Sequence, residues 1–524
     1  MKKFSLRVET SLSNIDENRW NICASKDKNF NPFNSYQFLK ALELSQSVNN
    51  SSGWNSAHLI IENNDKKIVA IVPSYLKTNS SGEYVFDYEW ANAYHRAGGQ
   101  YYPKLQISIP YTPVTGSRIL IDEACDYNEI IDYISSEIIL FCSRVEVSSA
   151  HITFLTKKES EKLEKLGWLI RKDQQFHWKN ENYDSFSDFL NTLSSRKRKN
   201  IKKERAKFIN SEIEIEHLKG DKINDEHWEY FYQFYIDTTS RKWGKDYLKK
   251  EFFNIIGDTM KNDILLIMAK KDDEYIAGAL NFLGKNSIYG RNWGSLVDYK
   301  FLHFELCYYQ AIEYAIKNKI KTVEAGAQGT HKISRGYSPV ITYSAHWMKE
   351  SNFHEAVKNY LNYEVLEVEK SKKILENYLP YKKNNKMTYN NENIFAKIIK
   401  GEADCVKILE NDYILSFMDV MPQTPGHTLV IPKYGTENIF DLPEEYFIHL
   451  MDAKQKIAKA IKKAYAPTGV MIMQLNGKEA GQTVFHLHFH IIPRKEGLNY
   501  KFHSSEIANF KDLDREAEKI KKWL

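Results

Sequence analysis

The chain has 524 residues, 42% of them hydrophobic and 27% charged, with a net charge of +5. That length and balance suit roughly three soluble domains and exclude a fibrous or wholly disordered chain. No apolar run reaches the roughly 18 residues of a membrane span, and the mild positive balance leaves any nucleic-acid contact to a local patch.

At the start, Met1-Lys2-Lys3 is basic, but Arg7 and Glu9 interrupt any apolar stretch behind it, so no secretory leader is expected. The five cysteines, Cys23, Cys125, Cys142, Cys307 and Cys405, are scattered and odd in number. They fit reduced thiols in a cytoplasm better than a disulfide framework. His58 to Ile61 and Lys67 to Tyr75 read as strands around a turn at Asn63-Asn64-Asp65. Residues 130–141 have helical spacing and 150–155 read as another strand. Between Tyr84 and Tyr111 aromatics are dense, a composition equally suited to a core or a ligand wall.

Eight of the twelve residues from Arg196 to Lys207 are basic. The spacing predicts a helix that meets phosphate, against the plainer reading of a solvated helical face. From 264 the segments 264–271, 275–283 and 287–294 read as successive antiparallel strands, followed by a helix over 301–317 and a strand over 322–327. Strands, helix and strand in that order fit an acyltransferase-like α/β unit. His331, Lys332 and Arg335 then sit in a glycine-bounded loop, a usual place to hold anions or catalytic groups. A purely structural role for His331 and for His303 stands beside that reading. Residues 366–391 are polar and rich in Lys and Asn and read as a linker. A helix follows from 444 to about 465, with Phe447, Leu450, Ile457 and Ile461 as its buried stripe.

The most specific text is NGKEAGQTVFHLHFHIIP, residues 476–493. On a strand His486, His488 and His490 share one face and Leu487, Phe489 and Ile491 the other. Gly477, Ala480 and Gly481 form a small-residue loop able to approach a phosphate closely. Together they point to attack on phosphorus by neutral imidazole. Two other readings of these histidines are zinc ligation, which would not need the glycine loop, and a histidine-rich surface strand.

Residues from about 393 to 494 resemble the HIT (histidine triad) nucleotide hydrolases and transferases. The matching text is HLHFHII, NIFAKIIKGE (393–402), SFMDVMPQTPGHTLVIPK (416–433) and AGQTV (480–484). The resemblance implies His488 as nucleophile, bracketed by His486 and His490, with His427 in support. It also implies phosphate contacts from Gln482 and Thr483 and an acid, Asp419, on the ribose hydroxyls. Leu475 stands where many relatives carry an amide, so that contact passes to Asn476. Asn393-Ile-Phe-Ala396 replaces the Cys-x-x-Cys zinc clip of some relatives, so no structural zinc is expected, and no metal is expected at the triad.

The first 365 residues or so resemble a FemAB-like family related to the GNAT acyltransferases and labelled for peptidoglycan biosynthesis or recognition. GEYVFDYEWANAY (82–94), YYPKLQISIPYTPVTG (101–116), SSRKRKNIKKER (194–205) and AQGTHKISRGY (327–337) carry that likeness. It implies tandem GNAT-like halves and an aminoacyl or acyl donor such as aminoacyl-tRNA or a nucleotide-linked precursor. An acetyl-CoA loop is not evident.

The expected fold is therefore α+β, built from α/β units. A first GNAT-like half (1–185) and a second (186–365) precede the linker (366–391). A HIT domain with an antiparallel sheet (392–505) and a helical tail (506–524) complete the chain. The expected function is bifunctional and cytoplasmic: a HIT nucleotide hydrolase or transferase without a cofactor, pairing as a homodimer, fused to an aminoacyl- or acyltransferase. The alternative is a non-catalytic recognition module or an acetyl-CoA-dependent transferase, with the triad a metal-dependent hydrolase.

Overall fold

The computed structural model describes residues 3–24, 30–209, 211–243, 246–326, 329–382, 389–496 and 508–524. Two compact units divide the chain, Met1–Lys382 and Lys383–Leu524.

The first unit is organised on an eleven-stranded sheet. From one edge its strands are Ile213–Leu218, Ile264–Lys271, Glu274–Leu283, Ser287–Ser295, Thr322–Glu324 and Leu169–Lys179. Then come Ser338–Met348, Ser149–Leu155, Lys104–Ile107, Ser74–Lys77 and Trp54–Ser56. Neighbours are antiparallel except in two places. Ser287–Ser295 runs parallel to Thr322–Glu324, and Lys104–Ile107 parallel to Ser149–Leu155. Each parallel pair needs a crossover, and helices Gln310–Lys317 and Tyr127–Arg144 lie in those connections.

The strand that follows each parallel pair leaves its own half. Leu169–Lys179 lies beside Thr322–Glu324, while Ser338–Met348 lies beside Ser149–Leu155. These two strands pair with each other without a slip from Ser338↔His177 to His346↔Leu169. The expected halves therefore interleave, and no clean boundary falls at 185. A separate four-stranded sheet, in the order Phe4–Glu9, His58–Asn63, Ile68–Val72, Leu120–Ile121, flanks the first half.

The three antiparallel strands expected from 264 are present, with Ile264–Ala269 buried. The helix expected over 301–317 contains a π turn at Glu305–Tyr309, which sets Glu305 inward against Arg205 at 3.0 Å. The basic segment forms helix Ser195–Ile209.

The expected linker is corrected by helix Ser351–Glu376, which runs across its start. Glu364 pairs with Arg171 at 2.6 Å and Glu369 with Lys172 at 2.5 Å, lashing the helix to strand Leu169–Lys179. Only Val357 and Leu361 on this helix are buried, so its polar composition is that of an exposed helical face. Further on, Tyr381 bridges Leu193 and donates its hydroxyl to the Gly336 carbonyl at 2.6 Å. Residues 383–388 of the expected linker and the expected domain end at 505 lie outside the described residues.

The second unit is a five-stranded antiparallel sheet in the order Lys407–Glu410, Ile414–Met418, Thr428–Pro432, Phe489–Arg494, Gly469–Met473. Helix Glu444–Tyr465 covers one face through Leu450, Ala453, Ile457 and Ile461. Phe447 is 40% exposed and leaves the expected stripe, its place taken by Ala453. Helix Phe510–Lys521 adds Leu513, Ala517 and Ile520 to the same core, so it is part of the domain and not a tail. The other face carries helix Ile394–Lys400, started by the Asn393 side chain and ended by Gly401 at φ +78°. Among the described residues no helix is long and apolar enough to cross a membrane.

A fragment ending at residue 365 loses the Glu369 tether and the Tyr381 contacts. It is expected to melt several degrees below a fragment ending at 382, which differential scanning calorimetry of the two would check.

Candidate functional site

Strand Phe489–Arg494 begins one residue after His488, so of the three histidines only His490 lies on regular strand. His486 and His488 occupy the bend before it. The alternation nevertheless holds: Leu487, Phe489 and Ile491 enter the core beneath helix Glu444–Tyr465. The imidazoles turn to the opposite side, where the Phe395 ring stands 5.2 Å from that of His488.

All three histidines and His427 are buried, and their hydrogen bonds order the protons. His488 Nδ1 lies 2.6 Å from the backbone carbonyl of His486. A carbonyl only accepts, so Nδ1 carries the proton and the lone pair sits on Nε2. His427 Nδ1 accepts from the Gln423 backbone N–H at 3.1 Å, which puts its proton on Nε2. That proton is shared between His490 Nδ1 at 2.9 Å and Asp419 Oδ2 at 3.3 Å. His490 therefore accepts at Nδ1 and carries its proton on Nε2. Burial pushes His427 down to about 3 and His486 to about 4, so both stay neutral near neutral pH.

Asp419, His427 and His490 bring three potential metal-ligand atoms within 4.8 Å of one another. The proton order does not fit a metal there. A ligating histidine normally donates from its other nitrogen, whereas the other nitrogen of His427 faces an N–H donor. What the arrangement suits is an in-line attack by His488 Nε2, with the His490 Nε2–H as the adjoining donor.

The remaining nucleotide-binding expectations fare unevenly. Asp419 turns Oδ2 toward His427 and His490, at 3.3 and 3.7 Å, and caps Met421 N with Oδ1. Gln482 is buried and spent on the loop: Oε1 accepts from Gly477 N at 2.7 Å, and Nε2 donates to the Glu437 and Val484 carbonyls. Asn476 accepts from Ile439 N and exchanges bonds with Gln474. These two residues shape the glycine loop from within and do not present amides to a phosphate. Thr483 is exposed at its rim.

Tyr389, inside the expected linker, was not legible as a site residue. Its hydroxyl bonds His486 Nδ1, while His486 Nε2 donates to the Pro432 carbonyl at 2.9 Å. Both nitrogens of His486 are thus fixed, and with them the carbonyl that sets the His488 tautomer. Gly435 makes the room, since a Cβ there would fall 2.6 Å from the Tyr389 ring.

In the first unit the expected loop residues are mostly occupied. Arg335 Nη2 bonds both oxygens of Glu204 at 3.0 Å, and its guanidinium lies 3.4 Å over the Phe304 ring. Lys332 is buried, donates to the Gly326 carbonyl at 3.0 Å and is pushed down to about 8 by burial. His331 is exposed and bonds the Tyr308 hydroxyl at 2.9 Å. Glu204 and Arg205 turn inward from the basic helix, which leaves Arg196, Lys199, Lys202, Lys203 and Lys207 exposed.

Comparison with known proteins divides the chain at the same place. Residues 11–383 match the FemAB-like family, described as peptidoglycan biosynthesis/recognition, and residues 400–497 match the HIT domain. Protein hit of Bacillus subtilis is 45% identical over 101 residues, 19% of this chain and 70% of that protein. The adenosine 5'-monophosphoramidase of Saccharomyces cerevisiae is 40% identical over 20% of this chain and 63% of its own length. The adenylylsulfatase of Arabidopsis thaliana is 38% identical over 21% and 55% respectively.

Tyr389→Phe removes one hydrogen bond from a buried imidazole and is expected to destabilise the second unit by about 1 kcal/mol. Gly435→Ala should cost more, because the ring must move; chemical denaturation of each variant checks both. Acid should also weaken this unit. Unfolded histidines take up protons near pH 6.5, whereas native His427 and His486 do so only near 3 and 4. Their contribution is therefore complete above pH 6.5 and is lost as pH falls from there, by up to about 1.4 kcal/mol per histidine per pH unit. His427→Asn should reduce that slope by about half in a pH series of unfolding midpoints.

Proposed function

Because the chain belongs to the FemAB-like family through its first unit and carries a HIT domain as its second, we propose that it joins two activities. The second unit hydrolyses or transfers a nucleoside monophosphate. Its substrates are small adenosine phosphoramidates and mixed anhydrides of AMP, a range supported by the likeness to a monophosphoramidase and an adenylylsulfatase.

The observation that carries this reading is the 2.6 Å bond from His488 Nδ1 to the His486 carbonyl. It leaves the lone pair on Nε2 and stabilises the positive charge that develops on the ring as Nε2 bonds phosphorus. The bond from phosphorus to the leaving group breaks, with the His490 Nε2–H donating a hydrogen bond to the departing atom, which takes its proton from solvent. Water then cleaves the nucleotidyl-histidine. His427, neutral near neutral pH, donates its Nε2–H to His490 Nδ1 and so holds His490 in the donor tautomer, as a positioning residue.

The first unit is an aminoacyl- or acyltransferase. Its two parallel-strand crossovers and the exposed cations of helix Ser195–Ile209 support a donor carried on a polyanion such as tRNA or a nucleotide. The recognition role in the family's description is the competing reading, and a ligand bound without being modified would favour it.

AMP release from adenosine phosphoramidate should fall at least a thousandfold in His488→Ala, and EDTA should leave the wild type unchanged. Retention of activity in His488→Ala, or its loss to the chelator, would overturn the nucleophile assignment. His427→Asn should lower kcat with little change in KM.

A further inference from the structure

The bend that carries His486 and His488 lies outside both strand ladders. The register with Thr428–Pro432 stops at Val430↔Phe489, and that with Gly469–Met473 at Met473↔His490. The peptide joining His486 to Leu487 is therefore held by other bonds. Its N–H donates to the Thr436 carbonyl at 2.7 Å, and its carbonyl is the one that takes the His488 Nδ1–H at 2.6 Å. A peptide fixed at its N–H can still tilt about that bond. The direction of the carbonyl thus depends as well on where the His486 ring is anchored.

That ring is anchored from two sides. Nε2 donates to the Pro432 carbonyl at 2.9 Å, which leaves Nδ1 to accept from the Tyr389 hydroxyl. Burial raises the Tyr389 phenol above its ordinary range, so it keeps the proton it donates. The same hydroxyl bonds the side chain of Asn393, the cap of helix Ile394–Lys400. The Tyr389 ring stands edge-on to that of His486, with 5.3 Å between centres. Gly435 is fitted to this ring. A Cβ there would fall 2.6 Å from it, and the φ of Gly435 is not left-handed, so the backbone alone does not call for glycine. One short run of chain thus supplies the acceptor for His486 (Pro432), the room for Tyr389 (Gly435) and the acceptor for Leu487 (Thr436). Tyr389 itself lies outside residues 400–497, the stretch matched to the HIT domain.

We propose that Tyr389 is a positioning residue for the attack on phosphorus: its hydroxyl fixes the His486 ring and so aims the carbonyl that keeps the His488 proton on Nδ1. This role deepens the nucleotidyl-transfer reading of the second unit and rests on it. A ring kept for packing alone would be served as well by phenylalanine. Without the hydroxyl, His486 Nδ1 faces an apolar ring and the carbonyl loses its aim. His488 then spends part of its time with the proton on Nε2, where it has no lone pair to attack with. The loss falls on the chemical step and not on substrate binding.

The test uses the full chain and adenosine phosphoramidate. Tyr389→Phe should lower kcat about tenfold or more and leave KM within about twofold. In Tyr389→Ala, phenol should restore activity that benzene does not, because only phenol returns the O–H. Thermal midpoints confirm that both variants fold. Full kcat in Tyr389→Phe, or equal rescue by benzene, overturns the role. Nitrogen NMR shifts of the histidine rings in the same proteins separate it from the reading beneath it. If the wild type releases no AMP, the nucleotidyl-transfer reading fails and the shifts decide what Tyr389 does. A single Nδ1–H tautomer of His488 in wild type and a mixture in Tyr389→Phe sustain the positioning, and an unchanged tautomer overturns it.

Discussion

The first unit depends on one strand pairing. Leu169–Lys179 and Ser338–Met348 each complete the sheet of the half that did not supply them, and each is bonded to the other along an unbroken register. Neither half can satisfy its strand edges alone, because an open row of backbone N–H and C=O groups would face water or another chain. The exchange also explains why a polar helix can hold its place. Ser351–Glu376 buries few apolar groups, but its acids pair with Arg171 and Lys172 on the exchanged strand.

The second unit solves a different problem, that of holding four imidazoles away from water in defined tautomers. Each proton is assigned by a partner that can act in only one sense: a carbonyl under His488 and His486, a backbone N–H behind His427. Tautomer order therefore follows from main-chain geometry, which is set by the sheet.

The triad and its two faces were legible because alternation is a local property, and Leu487, Phe489 and Ile491 enter the core as their spacing requires. The strands from 264 were legible for the same reason. What failed was anything decided by a distant partner. Polar residues after 366 read as linker because the partner that tethers Glu369, Lys172, lies some 200 residues upstream in the chain. Gln482 and Asn476 carry amides suited to phosphate, but backbone groups of their own loop and of residues 437 and 439 claim them first. Lys332 and Arg335 were recognisable as cations, not as cations already neutralised or capped from within. Tyr389 gave no signal, since its role depends on the missing side chain at Gly435.

The strand exchange has a consequence for synthesis. Ser149–Leu155 leaves the ribosome close to 190 residues before its partner Ser338–Met348. At about 5–20 residues per second that interval lasts roughly 10 to 40 seconds. Throughout it the nascent first half carries an unpaired strand edge, which is the surface on which chains join one another. The second unit carries no such debt, because its sheet draws only on strands within Lys407–Arg494. On the translating ribosome the larger unit is therefore the one that calls for a chaperone's cover, and the smaller one can close as it emerges.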